Sequence, residues 1–330
     1  MKHTDMTTQH QFTSLEAYQR EFTNVTFWRS SIERVCQHQQ LVGSLSDINI
    51  RTGLPGTNPV FIIDERFVIK FYEIRLFLSG SRSFQIERNL YSWLKLPDLL
   101  IPQLVASGTL DDWPYIITQA IPGSSFGEMR AQISQTDRHA LATLLGQTLR
   151  YLHQIPISSH PILSQMRDEF IDFIQKQTKE CVERHRRWNT LPEHLIQQIP
   201  SYLHEHERLV PVSLIHADVT CDHVLGVFDS EGGHWHATGL IDFADAWVGD
   251  PAYELVALHC SVFEFDTNLL NTFLQAYQLF NERLVERAMV AMLLFEFNAF
   301  EDVAQHRSAV LCTATTLQEL AESIWTVENK

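Results

Sequence analysis

Basic residues and cysteines are scarce in this sequence, and both shortages limit what the protein can do. The 25 Lys and Arg are outnumbered by 40 Asp and Glu, which gives a formal net charge of −15. A nucleic-acid backbone requires a basic surface, so we expect no nucleic-acid partner. The negative charge would attract a small cationic ligand, and it also serves solubility. The five cysteines include no C-x-x-C pair for zinc or redox chemistry, and they indicate a reducing compartment.

Long apolar stretches are missing as well. Residues 1–25 are polar and lack the apolar core of a signal peptide. The most apolar stretch, residues 288–300, contains Glu296 and is shorter than the ~20 residues of a membrane span. We therefore expect a cytoplasmic protein with no membrane partner, either a monomer or a weak dimer. A hydrophobic fraction of 45% in 330 residues is typical of a globular enzyme with two lobes.

Two short motifs carry most of the functional signal. His216-Ala217-Asp218, closed by His223, follows the kinase pattern H-x-D-x-x-x-x-N, in which the Asp accepts the proton of the substrate hydroxyl. Asp242, in Ile241-Asp242-Phe243, matches the later carboxylate that binds metal. Strands predicted over 224–228 and 238–241 form a hairpin that would bring both carboxylates to one end. Each motif alone occurs by chance, but their order and spacing together indicate phosphoryl transfer.

Candidates for nucleotide binding lie in the N-terminal third. Lys70 ends the apolar strand 67–69, in the position of the V-A-I-K lysine that pairs the nucleotide phosphates. Glu87, on a helix predicted over 84–94, is its expected partner. The turn Gly56-Thr57-Asn58 would let backbone N–H groups approach a triphosphate. An ordinary hairpin turn and a water-facing lysine are the alternative interpretations.

Together with Gly249-Asp250-Pro251 and Tyr253-Glu254-Leu255, these motifs resemble the aminoglycoside phosphotransferase family, nearly end to end. The same resemblance is carried by residues 55–60, 68–70, 113–115, 152–156 and 239–243. It implies an α+β, two-lobed, protein-kinase-like fold, with a small β-rich N-terminal lobe at 1–120 that binds nucleotide. A larger, mostly helical C-terminal lobe at 121–330 would carry catalysis and substrate binding. The order of strands first and helices after agrees with this plan.

The resemblance also implies roles for individual residues. Asp218 would be the catalytic base, and ATP or GTP would be bound together with Mg²⁺ or Mn²⁺ at Asp242 and His223. Asp250 would brace the catalytic loop by accepting hydrogen bonds from its backbone N–H groups. The adenine would meet the main chain of the linker between the lobes, at Gln119, Ala120 and Ile121.

His223 stands where the family usually has Asn. Magnesium prefers oxygen ligands, whereas manganese accepts nitrogen more readily. Three arrangements stay open: His223 ligates the metal, His223 contacts phosphate as a cation, or Asp222 supplies the oxygen ligand instead.

The C-terminal half is expected to be helical. Apolar periodicity predicts helices over 137–153, capped by Asp137, and over 167–188, 192–209, 253–264, 266–280 and 282–306. The last helix is apolar all round from 288 to 300, so Glu296 must pair with an internal arginine or face a substrate. The candidate carboxylates for a cationic substrate are Asp245, Glu296, Glu301 and Asp302.

We therefore expect an ATP-dependent small-molecule kinase that phosphorylates a hydroxyl of a small, cationic, aminoglycoside-like substrate. The alternatives are a kinase for another amino alcohol or sugar, and a nucleotide-binding pseudokinase without catalysis. A protein kinase is disfavoured because the sequence contains neither G-x-G-x-x-G nor A-P-E after Asp242.

Overall fold

The computed structural model describes residues 12–41, 48–54, 56–206, 209–231, 233–278 and 283–326. Pro55, part of a predicted nucleotide segment, lies outside them. The chain forms two compact units. The first comprises Met1–Lys95, Leu100–Pro122 and Leu240–Ala244, and the second comprises Leu96–Leu99, Gly123–Gly239 and Asp245–Lys330. Asp242 therefore belongs to the first unit, although the chain before residue 240 and after residue 244 belongs to the second.

An antiparallel five-stranded sheet forms the centre of the first unit, with the strand order β1-β2-β3-β5-β4. Its strands are β1 (Ile50–Thr52), β2 (Val60–Ile63), β3 (Phe67–Phe71), β4 (Leu104–Leu110) and β5 (Trp113–Gln119). Three helices accompany it: α1 (Leu15–Glu21), α2 (Val25–His38) and α3 (Gly80–Trp93). Ser14 caps α1, because its side chain accepts a hydrogen bond from the Ala17 amide.

The core of the first unit is built around Trp28 of α2, which is fully buried. Its ring stacks on Phe71 with centroids 5.0 Å apart and meets Trp113 edge-on at the same distance. The indole N–H donates to the Glu21 carbonyl at 2.9 Å, so burial leaves this polar atom paired. This core fixes α2 against β3, the strand that carries Lys70.

The second unit is mostly helical. Its strands are β6 (Ser124–Ser125), β7 (Ser213–Ile215), β8 (Val224–Phe228), β9 (Trp235–Leu240) and β10 (Trp247–Gly249). They form the sheets β6-β8-β9 and β10-β7. The helices are α4 (Phe126–Met129), α5 (Gln135–His153), α6 (Pro161–Trp188), α7 (Glu193–Ile196), α8 (Ile199–Glu205), α9 (Pro251–Ala257), α10 (Thr267–Tyr277), α11 (Leu284–Leu294), α12 (Ala299–Thr313) and α13 (Leu317–Trp325). A π-helix, Leu258–Val262, continues α9 directly.

Several predicted elements differ from the observed ones. Ser134, and not Asp137, caps α5, and Asp137 instead accepts hydrogen bonds from Ser134, His234 and the Trp235 amide. The helix predicted over 192–209 is two short helices, of which the second begins beside Pro200, and residues 207–208 lie outside the described chain.

The helix predicted over 282–306 is also two helices. α11 ends at Leu294 because Phe295 adopts an extended backbone, and its ring packs on Tyr253 with centroids 4.9 Å apart. Glu296 is therefore an exposed loop residue and not a buried helical carboxylate. Across the described ranges, no helix is long and apolar enough to cross a membrane.

Candidate functional site

A buried ion cluster in the first unit brings together Lys70, Glu87 and Asp242. The Lys70 ammonium lies 2.7 Å from Glu87 Oε2 and 2.9 Å from Asp242 Oδ1. Strand β3 presents Lys70 from the middle of the sheet, because its backbone pairs with Val60 on one side and Ile116 on the other. Glu87 comes from α3, and Asp242 from the returning segment Leu240–Ala244.

The charges of this cluster do not cancel. Burial alone would lower the pKa of Lys70, but the carboxylates of Asp242 and Glu87 outweigh it, so the pKa of Lys70 is raised. Burial raises the pKa of Glu87; Lys70 opposes that shift, and Asp242 adds to it. The single Lys70 ammonium thus pairs with two carboxylates. Solvent reaches Asp242, because 35% of its side chain is exposed.

Two tyrosines fix the Glu87 carboxylate. Tyr72 donates to Oε2 at 2.6 Å and Tyr91 donates to Oε1 at 2.7 Å. The Tyr91 hydroxyl also accepts a hydrogen bond from the Phe243 amide at 3.2 Å. Glu87 is consequently linked through Tyr91 to Phe243, the residue after Asp242. Asp242 itself has a left-handed backbone, with φ of 61°.

The other predicted nucleotide residues lie in the same unit. Gly56 is exposed, and a Cβ added there would meet nothing within 4 Å. The Thr57 carbonyl accepts from the Tyr18 hydroxyl, and the Asn58 side chain accepts from the Glu73 amide. These contacts order the turn, but they do not require glycine at position 56.

The predicted linker follows β5. The amides of Gln119 and Ala120 donate to the carbonyls of Gln103 and Arg66, at 3.0 and 2.9 Å. Both amide donors are therefore already hydrogen-bonded within the protein. A nucleotide base would have to contact main-chain carbonyls of the linker or Ile121.

Asp218 and His223 lie together in the second unit, in the loop predicted from the sequence to be catalytic. His223 Nδ1 lies 2.7 Å from the Asp218 carbonyl and 3.5 Å from its carboxylate, and both side chains are about one-fifth exposed, at 19%. The bond to the carbonyl places a proton on Nδ1, so the neutral tautomer has its lone pair on Nε2. His216 is fully buried, and its Nδ1 accepts from the Asp218 amide at 3.3 Å.

Glu254, which the sequence does not single out as functional, holds the start of this loop. Its carboxylate accepts the amides of His216 at 2.7 Å and Ala217 at 3.0 Å. Behind it, His153 Nε2 lies 3.4 Å from Glu254, and His153 Nδ1 lies 2.5 Å from the Tyr277 hydroxyl. A charged residue in the apolar segment 252–258 is the signal that could have found it, since unpaired buried carboxylates are costly.

Asp250 does not brace the catalytic loop, contrary to the expectation. Its carboxylate accepts the amides of Val210 and Ala252, at 2.8 and 2.9 Å, and receives Arg287 on both oxygens at 2.7 and 2.8 Å. Asp250 caps α9. Its effect on the loop is indirect, because it anchors the helix that presents Glu254.

The acidic substrate candidates fall into two groups within the second unit. Burial is the main cause of the raised pKa of Tyr253, and the charges of Glu296 and Asp245 raise this pKa further. The Glu296 amide donates to the Tyr253 hydroxyl at 3.1 Å. Asp302 instead interacts with Glu301 and His306, and burial is the main cause of its raised pKa.

The described residues include no group of three or more His, Cys, Asp and Glu placed to hold a metal ion. The two predicted ligands also lie in different units, Asp242 in the first and His223 in the second. Magnesium in phosphoryl-transfer sites is commonly held by one or two carboxylates together with substrate phosphates. A partly exposed carboxylate such as Asp242 fits that kind of binding better than a dedicated protein cage.

Comparisons with solved structures agree with the fold described above. The chain is similar in structure to APH(2'')-IIa, solved as a streptomycin–ATP ternary complex, with 22% identity, a TM-score of 0.58, and coverage of 88% of this chain and 98% of that one. The GDP and kanamycin complex of APH(2'')-IIIa gives 19% identity, a TM-score of 0.58 and coverage of 89% and 98%. APH(3'')-Id from Streptomyces rimosus is 16% identical, with a TM-score of 0.52 and coverage of 80% of this chain and 97% of that one. These likenesses confirm the predicted two-lobed kinase-like fold.

Among curated sequences, lysine-specific demethylase JMJ21 of Arabidopsis thaliana is 28% identical across 203 residues, covering 51% of this chain and 22% of that protein. The chain thus spans about a fifth of the length of that relative. The model of the phosphotransferase enzyme family (APH) matches residues 54–289, which include Lys70, Asp218 and Asp242. The chain therefore belongs to the phosphotransferase enzyme family.

Proposed function

We propose that this protein transfers the γ-phosphoryl group of ATP or GTP to a hydroxyl of a small, cationic, aminoglycoside-like substrate. The observation that carries the proposal is the Lys70–Glu87–Asp242 cluster, in which a buried ammonium is held rigidly by two carboxylates. Phosphoryl transfer requires little covalent chemistry, so catalysis depends on positioning and on neutralising phosphate charge. A lysine held in this way is ready to meet phosphate oxygens.

Each part of this reaction has a candidate residue in this chain. Asp218 accepts the proton of the attacking hydroxyl, a contribution of about 10²–10⁴ in rate for a positioned base. Lys70 contacts the nucleotide phosphates, and Glu87 orients Lys70. Asp242 and His223 are the metal-ligand candidates, and Mg²⁺ or Mn²⁺ would supply neutralisation of the phosphate charge. The backbone of Gln119, Ala120 and Ile121 receives the base.

The acceptor we propose is hygromycin B. The proposal rests on a resemblance of segments such as Leu152-His153-Gln154-Ile155-Pro156 and Trp113-Pro114-Tyr115 to hygromycin B 7''-phosphotransferase. A net charge of −15 and the carboxylates Asp245 and Glu296 suit a polycationic sugar. Solved relatives hold kanamycin, streptomycin and gentamicin, which are compounds of the same class. Modification of such a compound would make this a resistance enzyme of the cytoplasm.

The test is phosphorylation of a panel of acceptors. The purified protein is incubated with ATP or GTP, Mg²⁺ or Mn²⁺, and hygromycin B, other aminoglycosides or simple amino alcohols, and the products are weighed by mass spectrometry. We expect hygromycin B to gain one phosphate, and Asp218→Asn to abolish the gain while nucleotide binding persists. Asn keeps the size and hydrogen-bonding shape of Asp but cannot accept the proton.

Other outcomes separate the competing functions. If phosphate is added only to an amino alcohol or another sugar, the protein is a kinase whose acceptor is not an aminoglycoside. Nucleotide binding without transfer to any member of a widened panel supports a pseudokinase and contradicts the proposal.

A further inference from the structure

The middle of the catalytic loop is held on both sides of Cys221. The Cys221 amide donates to Ser261 Oγ at 3.0 Å, and the Cys221 carbonyl accepts from the Gly127 amide at 2.9 Å. Both backbone groups of this residue are therefore paired outside the loop. Cys221 stands between Asp218 and His223, so its position sets the course of the chain that joins the proposed base to the proposed metal ligand.

Ser261 reaches Cys221 because the helix that carries it changes pitch. α9 passes into the π-helix Leu258–Val262, whose widened turn is closed by the Phe263 amide on the Leu258 carbonyl at 3.1 Å. A π-turn holds one residue more than an α-turn, so every later side chain is rotated relative to an uninterrupted α-helix. The hydroxyl of Ser261 is thereby turned to the Cys221 amide.

Arg130 holds the π-helix and the residues after it through contacts with Ser261 and Glu264. Its guanidinium donates to the Ser261 carbonyl and forms an ion pair with Glu264. The chain then passes through Glu264 and Phe265, both with left-handed backbones at φ of 48° and 60°. Consecutive non-glycine residues in this region are strained, and such strain persists only where surrounding contacts fix it.

Gly127 approaches from the opposite side, where an added side chain would meet the loop. A Cβ at position 127 would lie 2.6 Å from Asp222 Oδ1 and 3.0 Å from Cys221 Sγ. Any larger residue would displace Asp222, the alternative oxygen donor for the metal.

We propose that Ser261 and Gly127 are positioning residues of the phosphoryl-transfer site, which clamp Cys221 and so fix the segment from Asp218 to His223. This inference rests on the proposed function for its catalytic consequence. Neither residue touches nucleotide or acceptor in this proposal; each acts through the loop backbone. Loosening the clamp lowers turnover and changes the preference between Mg²⁺ and Mn²⁺, while the nucleotide KM stays unchanged.

The Cys221 thiol gives a readout that needs no activity. All five cysteines are described; Cys36, Cys181 and Cys260 are buried, Cys312 is exposed and Cys221 is half-buried. In a Cys312→Ser background, alkylation mapped by mass spectrometry therefore reports on Cys221. Loss of one hydrogen bond corresponds to an increase of about 5- to 10-fold in alkylation rate for Ser261→Ala. Ser261→Thr keeps the hydroxyl and should stay near the wild-type rate.

Gly127→Ala tests the clamp from its other side, and Ser323→Ala is the matched control. Ser323 is an exposed helical serine, and its hydroxyl donates within its own helix, to the Glu319 carbonyl. We expect Ser261→Ala and Gly127→Ala to lower kcat by about tenfold with an unchanged nucleotide KM, which is the effect of a loss of about 1.4 kcal/mol at the transition state. Ser261→Thr should recover kcat.

The outcomes distinguish the two proposals. Unchanged Cys221 alkylation in Ser261→Ala overturns the clamp, and faster alkylation with an unchanged kcat overturns its positioning role. If the wild-type protein phosphorylates no acceptor while alkylation still depends on Ser261, the clamp stands and the proposed function fails.

Discussion

The buried carboxylate of Glu254 accepts a hydrogen bond from the backbone amide of Ala217 at 3.0 Å. Ala217 has φ of 68°, a left-handed backbone that costs an alanine about 1–2 kcal/mol. The bond therefore offsets strain at the residue directly before the proposed base. A carboxylate suits this place because two neighbouring amides point at it and both of its oxygens can accept.

Replacing Glu254 with Gln should impair catalysis more than nucleotide binding. The amide side chain presents one acceptor oxygen, so one of the two loop amides loses its partner, at about 1–3 kcal/mol. We expect kcat to fall about 10- to 100-fold with little change in the nucleotide KM, measured by steady-state kinetics. Glu205→Gln, on an exposed part of α8, is the control. A Glu254→Gln protein with normal kcat would refute this role.

Metal preference tests His223. Imidazole binds manganese more readily than magnesium, so the wild-type protein should be at least as active with Mn²⁺ as with Mg²⁺. His223→Asn provides an oxygen donor and should shift the ratio of the two activities toward Mg²⁺. Clearly higher wild-type activity with Mg²⁺ would argue against a metal-ligating His223.

Acid should destabilise the protein through two buried histidines. Burial lowers the pKa of both His259 and His185 to about 4, below their ordinary value of 6.5. Between these values the unfolded state binds more protons than the folded state, so stability falls as the pH is lowered from about 6.5 to about 4. Each histidine contributes at most about 3 kcal/mol to this loss.

Urea unfolding at several pH values measures this effect. His259→Gln removes one titrating group and should flatten the curve across that window, whereas the exposed His204→Gln should leave its slope unchanged. An identical slope for His259→Gln and the wild type would contradict the prediction.

We expect that removing Arg287 from the Arg287–Asp250 ion pair causes a large loss of stability. Asp250 is fully buried, and Arg287 reaches both of its oxygens. Removing the cation in Arg287→Met leaves a buried charge uncompensated, which costs about 3–5 kcal/mol in unfolding free energy. Adding Asp250→Asn removes that charge, so the double variant should unfold at a higher urea concentration than Arg287→Met alone. No recovery in the double variant would refute this account.

Local patterns were sufficient for much of the fold. β8 has the predicted bounds, Val224–Phe228, because it is an apolar run between turn residues. The family resemblance read from the catalytic motifs is confirmed by the family match over 54–289. Lys70 and Glu87 are in contact because strand and helix periodicity put both on faces that turn inward.

Tertiary contacts determine several features that local sequence patterns do not predict. An apolar run continues across Phe295, so periodicity extends the helix, yet packing of Phe295 on Tyr253 ends it. Asp250 and Glu254 are both acidic residues near one end of α9, and spacing alone does not say which reaches the loop. The π-helix is equally invisible, since Leu258–Val262 has no composition that distinguishes it from an α-turn.

The return of Leu240–Ala244 to the first unit has a consequence for folding during synthesis. Lys70 and Asp242 are 172 residues apart in the chain. The sheet and α3 emerge from the ribosome early, so Lys70 and Glu87 meet long before the second carboxylate exists. A nascent first unit is therefore incomplete until residue 244 has been made, and the aspartate proposed for metal binding is the last member of its cluster to arrive.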